Sequence, residues 1–439
     1  MKISEHPLLR WALPGTKIKR YILAFSIGII MILYFSGVLY FSVYSYSRVR
    51  TAKILFLVTL SNKIPFGKTV IPVISIFGLF IAIVLIVLGI KELIISISSA
   101  LVPEKSRKEI MNLVFEKRKE DLKKKIVVIG GGTGTSTVLR GLKKHFVKIS
   151  AIITVADSGG SSGRLRRELG ILPPGDLRNC LAALADEHSE AAQLLNFRFR
   201  EKSSCLNGHS MGNLLIAALT RMNGDFGDAV LKLGKMLAIN GEVMPFTNED
   251  ITLCAEFEDG KIIEGEAEIT EYHGKIKKIY IKPDTAKPYI EALKRIESAD
   301  VIVIGPGSLY TSVLPPLLLP TINDTVRRSK ATKIYIPNIM TEPGETDQFS
   351  AYDHLKVVTD FLGSEVIKYA LVNNSTPGKY LLEKYKESGS IPVEPDISKI
   401  EALGVKCIVR NFATERGGTI RHDPEKLAKA IIEIAKEIV

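Results

Sequence analysis

Two stretches of this chain run on without a charged residue for longer than an ordinary soluble helix, and they constrain the fold more than any other feature. Tyr21 to Tyr46 holds 26 such residues and Thr69 to Ile90 holds 22. A helix needs roughly 20 residues to cross a hydrocarbon core of about 30 Å, so each run is long enough to span a membrane. Arg10, Lys17, Lys19 and Arg20 precede the first run, and Arg48 and Arg50 follow it. Lys63 and Lys68 precede the second, and Lys91 follows it. Trp11, Tyr21, Tyr44 and Tyr46 sit near the ends, where amphipathic rings favour the interface. A cleaved signal peptide would have a core of roughly 7–15 apolar residues and a small-residue cleavage site, and the first run has neither. Pro72 and Gly78 are tolerable inside a membrane helix.

Two spans return the chain to the side on which it began. Five basic residues precede the first span and five lie in the loop, so positive charge leans only mildly toward cytoplasmic ends. The expected organisation is a basic tail (1–20), spans at 21–46 and 69–90, a loop (47–68), a charged linker (91–124) and a large domain (125–439). The linker segment KSRKEIMNLVFEKRKEDLKKK suits either a helix near anionic headgroups or a solvated spacer.

Charge sharpens this division. The chain has 59 Lys+Arg and 47 Asp+Glu, a net charge of +12. Residues 1–124 carry 19 basic and 7 acidic residues, whereas 125–439 carry 40 of each. The basicity belongs to the membrane-flanking quarter, which argues against nucleic acid as the partner of the large domain. Cys180, Cys205, Cys254 and Cys407 are scattered without a C-x-x-C pair, so they read as free thiols and no metal site is assigned.

Within 125–439, Lys125 to Ile129 is a short β-branched run followed by Gly130, Gly131, Gly132, Thr133 and Gly134 and then a helical pattern. Strand, glycine turn and helix form the phosphate-binding start of a doubly wound fold, because glycines admit a phosphate close to backbone N–H groups. Thr135 stands where the third glycine of G-x-G-x-x-G would fall, which weakens an NAD-type fingerprint. A second strand, Lys148 to Val155, ends in Asp157, Ser158, Gly159, Gly160, Ser161 and Ser162, followed by Arg164, Arg166 and Arg167. Asp157 lies 25 residues after Gly132, near the ribose-binding acid position, and the serines and glycines read as an anion cradle.

Asp176 follows Pro173-Pro174-Gly175 and suits a helix N-cap. Gly208-His209-Ser210-Met211-Gly212 matches the nucleophile-elbow spacing, but the residues before it are polar rather than a buried strand, so a hydrolase is rejected. His209 at that helix start suits a phosphate contact or a packing role. Residues 250–282 alternate apolar and polar, with turns at Asp259-Gly260 and His273-Gly274, and read as an inserted β-hairpin or meander. The α/β rhythm then resumes with the strand Asp300–Ile304 and the loop Gly305, Pro306, Gly307 and Ser308. The expected fold is α/β, a Rossmann-like doubly wound, mainly parallel sheet preceded by two transmembrane helices.

Seven stretches, in this order, together resemble the CofD/YvcK family: IVVIGGGTGTSTVLRGL, TVADSGGSSGRLR, LPPGDLRNCLAAL, GHSMGNLLIAAL, IGPGSLYTSVLPPLL, MTEPGET and IRHD. The resemblance covers essentially all of 125–439 and is nearer the YvcK branch, the gluconeogenesis factors, than the CofD branch of 2-phospho-L-lactate transferases. It implies a cytoplasmic domain binding a nucleotide-sugar such as UDP-GlcNAc and regulating carbon metabolism, wall-precursor supply and cell shape; the two apolar runs add the expectation of a two-pass cell-membrane anchor. Carried over residue by residue, Gly131, Gly132, Thr133 and Gly134 with Asp157, Ser158, Gly159, Gly160, Ser161 and Ser162 would line the nucleotide site. Asp176, Asn179, His209 and Asn213 would line the central cleft, and Gly305, Gly307, Ser308 and Arg421 would complete the anion and sugar contacts. The expected partners are a UDP-sugar or NAD, the membrane, a regulated enzyme of wall-precursor or carbon metabolism, and a second copy in a homo-oligomer.

The alternative implied by the same resemblance is a transferase of a nucleotide-activated phospho-acid. Mg²⁺ would then serve the reaction, with Asp157, Asp176 and His209 as catalytic residues. Many members carry a second acid where Ser158 stands, and its absence weakens a site held by one or two carboxylates plus phosphates. Most members also lack the membrane helices.

Overall fold

A computed structural model describes residues 18–44, 67–101, 123–186, 189–200 and 206–437. Residues 1–17 of the basic tail, 47–66 of the loop between the apolar runs, most of the linker and Cys205 fall outside these residues. The chain divides into two compact units, Met1–Leu122 and Lys123–Val439.

In the first unit, Ile18–Tyr44 and Gly67–Leu101 are helices. Each contains a stretch long and apolar enough to cross a membrane, Tyr21–Tyr40 and Pro72–Leu93. Ile30, Leu33, Phe77 and Phe80 are exposed on these helices. The helices meet where glycine allows close approach. A Cβ on Gly28 would overlap Ile86, one on Gly78 would overlap the Phe35 ring, and Gly89 lies against Tyr21 and Phe25. Pairing partners descend along the second helix as they ascend along the first, so the pair is antiparallel. Small residues at such a seam suit association in lipid, where backbone packing replaces the hydrophobic effect.

The second unit is built on seven strands: β1 (Lys124–Gly130), β2 (Val147–Ile153), β3 (Glu242–Pro245), β7 (Val301–Ile304), β8 (Thr332–Tyr335), β9 (Ile367–Asn373) and β10 (Lys406–Arg410). They pair in parallel in the order β10-β9-β8-β7-β1-β2-β3. β7 is buried throughout and β1 is buried from Ile126 onward. That explains their continuous Val/Ile runs, because a parallel sheet is covered on both faces. From β1 the chain moves outward to β2, and from β7 it moves outward the other way to β8. With right-handed crossovers, these opposite directions put the flanking helices on the two faces of the sheet. This is a Rossmann-like α/β fold.

A separate antiparallel sheet comprises β4 (Thr252–Phe257), β5 (Ile262–Glu264) and β6 (Ile276–Lys282), in the order β5-β4-β6. Between β5 and β6 the chain forms a helix, Glu266–Glu271, where sequence alternation suggested a strand. Ile269 on this helix is fully buried. A two-stranded hairpin, β11 (Ala413–Arg416) and β12 (Thr419–His422), precedes the last helix, Pro424–Glu437. Its turn residues Gly417 and Gly418 both have positive φ, which a two-residue primed hairpin turn requires.

Candidate functional site

β1 and β7 are neighbours whose connections diverge, so a crevice opens beyond their carboxyl ends. The loop after β1 and the loop after β7 meet there in a cleft of about 540 Å³, with Gly131, Gly132, Thr133 and Gly134 on one side and Pro306, Gly307 and Ser308 on the other. The approach is close enough to exclude side chains. A Cβ on Gly134 would overlap the Pro306 carbonyl, and one on Gly132 would overlap the Asp176 carboxylate. The Gly307 N–H donates to Asn338 Oδ1 at 3.1 Å, which steadies the second loop. Gly305 lies behind the cleft surface, with positive φ.

One wall of the cleft is acidic. Asp176 is the second residue of the helix Gly175–Leu184; the N-cap is Pro174, and no side chain caps the helix. The capping role suggested by its sequence position is therefore not the one it plays. Its carboxylate instead accepts the Gly132 N–H, tying the helix to the first glycine loop. Protein surrounds this group closely although it keeps some surface in the cleft, and burial, then repulsion from Asp157, pushes its pKa up to about 7. Glu266, the first residue of the helix that interrupts the antiparallel sheet, also lines the cleft. Burial, then Asp157 and Asp176, pushes it up to about 8. Glu342 is the third acid of the lining. Burial and then the neighbouring Glu345 raise its pKa, opposed by the Ser308 hydroxyl that donates to it. Glu345 sits behind, accepting from the Tyr310 N–H at 3.2 Å, Thr311 Oγ1 at 2.8 Å and Thr270 Oγ1 at 3.1 Å.

The opposite wall is the β11–β12 hairpin, which contributes Thr419, Ile420, Arg421 and His422. His422 is buried apart from the small surface it gives the cleft; burial holds its pKa down at about 4, against the bond it makes to the Pro337 carbonyl, so it is neutral at physiological pH. Arg421 is exposed, with Nε donating to Thr419 Oγ1 at 3.3 Å.

The other residues singled out in the sequence lie apart from this cleft surface. Asp157 Oδ1 accepts the Gly159 N–H at 2.9 Å, and Asp157 acts on Asp176 and Glu266 through its charge. Ser158 donates to Glu268 at 3.1 Å and accepts the Ala267 N–H at 3.1 Å, so it anchors the helix that carries Glu266. Ser161 bonds His209 Nδ1 at 2.9 Å and accepts from Asn213 Nδ2 at 3.1 Å, while Ser162 accepts the Gly175 N–H at 3.1 Å. Gly160 opens the helix Gly160–Leu169 in the same loop. This loop, His209 and Asn213 therefore bind one another and support the cleft from behind. Asn213 Oδ1 is buried without a hydrogen-bond partner. Burial, then Arg164, lowers the pKa of His209. Ser210 caps the helix Met211–Asn223 by accepting the Asn213 N–H, which is a structural use of the G-x-S-x-G serine. Asn179 lines a second cavity beside the first.

Glu266 and Glu342 were the residues the sequence reading missed. Glu342 stands inside the MTEPGET stretch, so its signal was present. Glu266 lies in the inserted segment, where nothing local marks it as facing a glycine loop more than a hundred residues earlier.

The CofD family model, described as 2-phospho-L-lactate transferase CofD, matches residues 126–413. A gluconeogenesis factor of Bacillus subtilis is 45% identical over 315 residues, covering 72% of this chain and 99% of its own. A protein of Clostridium acetobutylicum, also bearing a gluconeogenesis-factor name, is 39% identical over 429 residues, covering 96% of this chain and 91% of its own. The first alignment has the length of the α/β unit alone, and the second takes in most of the N-terminal segment as well. A crystal structure of a Bacillus halodurans protein superposes with a TM-score of 0.69 at 46% identity, covering 71% of this chain and 99% of that one.

Proposed function

The chain belongs to the CofD family, among relatives of the gluconeogenesis factors, and from that premise we propose that it binds a nucleotide-sugar such as UDP-GlcNAc as a membrane-tethered regulator. The observation that carries the proposal is the cleft at the β1/β7 crossing, where two glycine loops, Arg421 and a hydroxyl-bearing rim converge. Backbone N–H groups at a helix start and a guanidinium are the donors that a pyrophosphate takes. The protonated carboxyls of Asp176 and Glu266 would donate to ribose or sugar hydroxyls. The serine of the G-x-S-x-G stretch, Ser210, lies outside the cleft lining and caps a helix, and Cys180 is likewise outside it, with burial raising its pKa. The regulated processes would be carbon metabolism, wall-precursor supply and cell morphogenesis, acting through a protein partner. The antiparallel apolar pair would hold the domain at the cytoplasmic face of the cell membrane.

The test is calorimetry of UDP-GlcNAc, GDP and NAD against residues 123–439, with and without Mg²⁺. Relatives consisting of little more than this unit exist, so the fragment is a fair subject. Magnesium-independent binding of UDP-GlcNAc without turnover is expected. Binding of GDP or NAD alone would overturn the assignment of the ligand.

A second reading, transfer of a phospho-acid group, draws on the description of the family model and on the acidic wall. Asp157 and Asp176 would then hold Mg²⁺ together with substrate phosphates, since Mg²⁺ commonly takes one or two carboxylates plus phosphate oxygens. The ion would neutralise charge on the transferring group. No set of three ligating side chains forms a metal cluster among the described residues, so the fit depends on the phosphates. Mg²⁺-dependent turnover that Asp176→Asn abolishes would establish this reading over the first.

A further inference from the structure

A second cavity, of about 500 Å³, adjoins the cleft and shares with it only Thr133 and Arg421. Its other described lining residues are Ser136, Arg140, Asn179 and Arg416, so it presents three guanidinium groups and no carboxylate. Each side chain arrives for a different structural reason. Thr133, Ser136 and Arg140 are three, four and seven residues apart along the helix Thr133–Leu142 and therefore share one face. Asn179 comes from the neighbouring helix Gly175–Leu184.

The two hairpin arginines follow from register. Thr414 pairs with Arg421 and Arg416 with Thr419, so these four share one face; Glu415 pairs with Ile420 and Ala413 with His422 on the other. Alternation therefore sends Arg416 and Arg421 to the same side and turns Glu415 away, where its carboxylate accepts the Gly378 N–H at 2.6 Å. Ile420 and His422, on that other face, line the first cleft but not the second cavity. Residues of both β12 faces therefore border the first cleft, whereas only the Arg416/Arg421 face reaches the second cavity.

No salt bridge is formed by Arg140, Arg416 or Arg421 among the described residues. Three like charges turned toward one small cavity repel one another, and a polyanion relieves that repulsion while taking planar, bidentate hydrogen bonds from each guanidinium. The Asn179 amide and the Thr133 hydroxyl add neutral donors suited to phosphate oxygens. A phosphate dianion occupies only part of about 500 Å³. The remaining room suits a small polar body attached to the phosphate.

We propose that the cavity between Arg140, Asn179 and the Arg416/Arg421 face of the hairpin is a second anion site, taking the phosphate group of a small phosphorylated metabolite, separate from the ligand of the β1/β7 cleft. Arg421 and Thr133 border both pockets, so occupancy of one alters the donors left for the other. Arg140, Ser136, Asn179 and Arg416 belong to this cavity alone, so the proposal does not require the first cleft's ligand to be a nucleotide-sugar.

The test uses the full chain in detergent micelles and inorganic phosphate as the probe, read by calorimetry at fixed ionic strength. One saturable phosphate site is expected in the wild type. Arg140→Gln and Arg416→Gln should each weaken it at least tenfold, and Arg416→Lys should keep most of it. In both glutamine variants UDP-GlcNAc affinity should stay within twofold of wild type, and circular dichroism should show the same fold. Unchanged phosphate binding in the glutamine variants, or none in the wild type at tens of millimolar, overturns the proposal. Stoichiometric displacement of phosphate by UDP-GlcNAc also overturns it, because the cavity would then be the tail of a single ligand site. If phosphate binds as expected while UDP-GlcNAc does not bind at all, the nucleotide-sugar reading fails and this site stands.

Discussion

The two walls of the cleft are built by opposite means. The acidic wall joins Asp176 and Glu266, which repel each other and Asp157 beside the first glycine loop, to Glu342, which takes a hydrogen bond from Ser308 of the second; burial raises the pKa of all three. The opposite wall is a two-stranded hairpin that brings one guanidinium, Arg421, to the cleft, and it stands in solvent. Buried acids can be tuned by pH and metal, whereas an exposed guanidinium offers a fixed, planar set of donors. The contrast suits a ligand with an anionic end and a hydroxyl-rich end, lying across the cleft from Arg421 to Glu266.

The most severe way to break this arrangement is to part the two glycine loops. Gly134→Ala places a methyl group against the Pro306 carbonyl. Overpacking of this kind costs about 1–3 kcal/mol, so calorimetric melting should show a lower Tm, and UDP-GlcNAc binding should be lost. Retained affinity would mean that the loops are not the cradle.

Removing the basic wall should matter next. Hydrogen bonds to charged groups contribute about 1.5–3 kcal/mol, so Arg421→Ala should weaken UDP-GlcNAc binding by roughly ten- to a hundredfold. Unchanged affinity would remove Arg421 from the site.

The acidic wall should show itself in pH profiles. UDP-GlcNAc affinity should fall as pH rises from 6 to 9, because Asp176, held up at about 7, and Glu266, held up at about 8, lose the protons they would donate to the ligand's hydroxyls and add negative charge to a cleft that takes an anion. Stability should follow the same sign. A carboxyl whose folded pKa lies above its unfolded value binds more protons folded, so stability is greatest in acid and declines as pH rises from about 4 through the folded value, by at most about 1.4 kcal/mol per pH unit per group. Asp176→Asn should flatten both profiles. If affinity instead rises with pH, and only when Mg²⁺ is present, the metal-dependent transferase reading gains.

The smallest effect on the cleft is expected from the helix pair. Gly28→Leu would collide with Ile86 and should lower the thermal stability of the detergent-solubilised anchor. UDP-GlcNAc affinity should remain within twofold. A larger change would show that the anchor communicates with the cleft.

Much of this was legible in the chain because the signals are local. An uncharged run long enough to cross a bilayer needs no partner to be recognised, and a β-branched run ending in glycines before a helical period marks a strand, a turn and a helix wherever it is placed. The turn at Asp176 was legible too, but not what the residue does there. The sequence suggested a cap, whereas the helix had already begun at Gly175 and the carboxylate was free to reach Gly132. His209, Asn213 and Ser161 were singled out in the sequence as residues of a ligand site, and the structure joins them in one hydrogen-bonded group.

What the sequence determined by itself is therefore the inventory: two apolar helices, an alternating α/β unit, and glycine loops at strand ends. Only the tertiary structure decided which of these meet. It set β7 beside β1 although more than 170 residues separate their loops, brought Glu266 and Glu342 into one cleft with Asp176, and turned Arg416 and Arg421 away from Glu415 toward the cavity that Arg140 lines. Helical period, turn chemistry and hydrophobic length are written in neighbouring residues. Burial, like-charge repulsion and the sharing of a cavity act through space, and they exist only once the sheet order has been chosen.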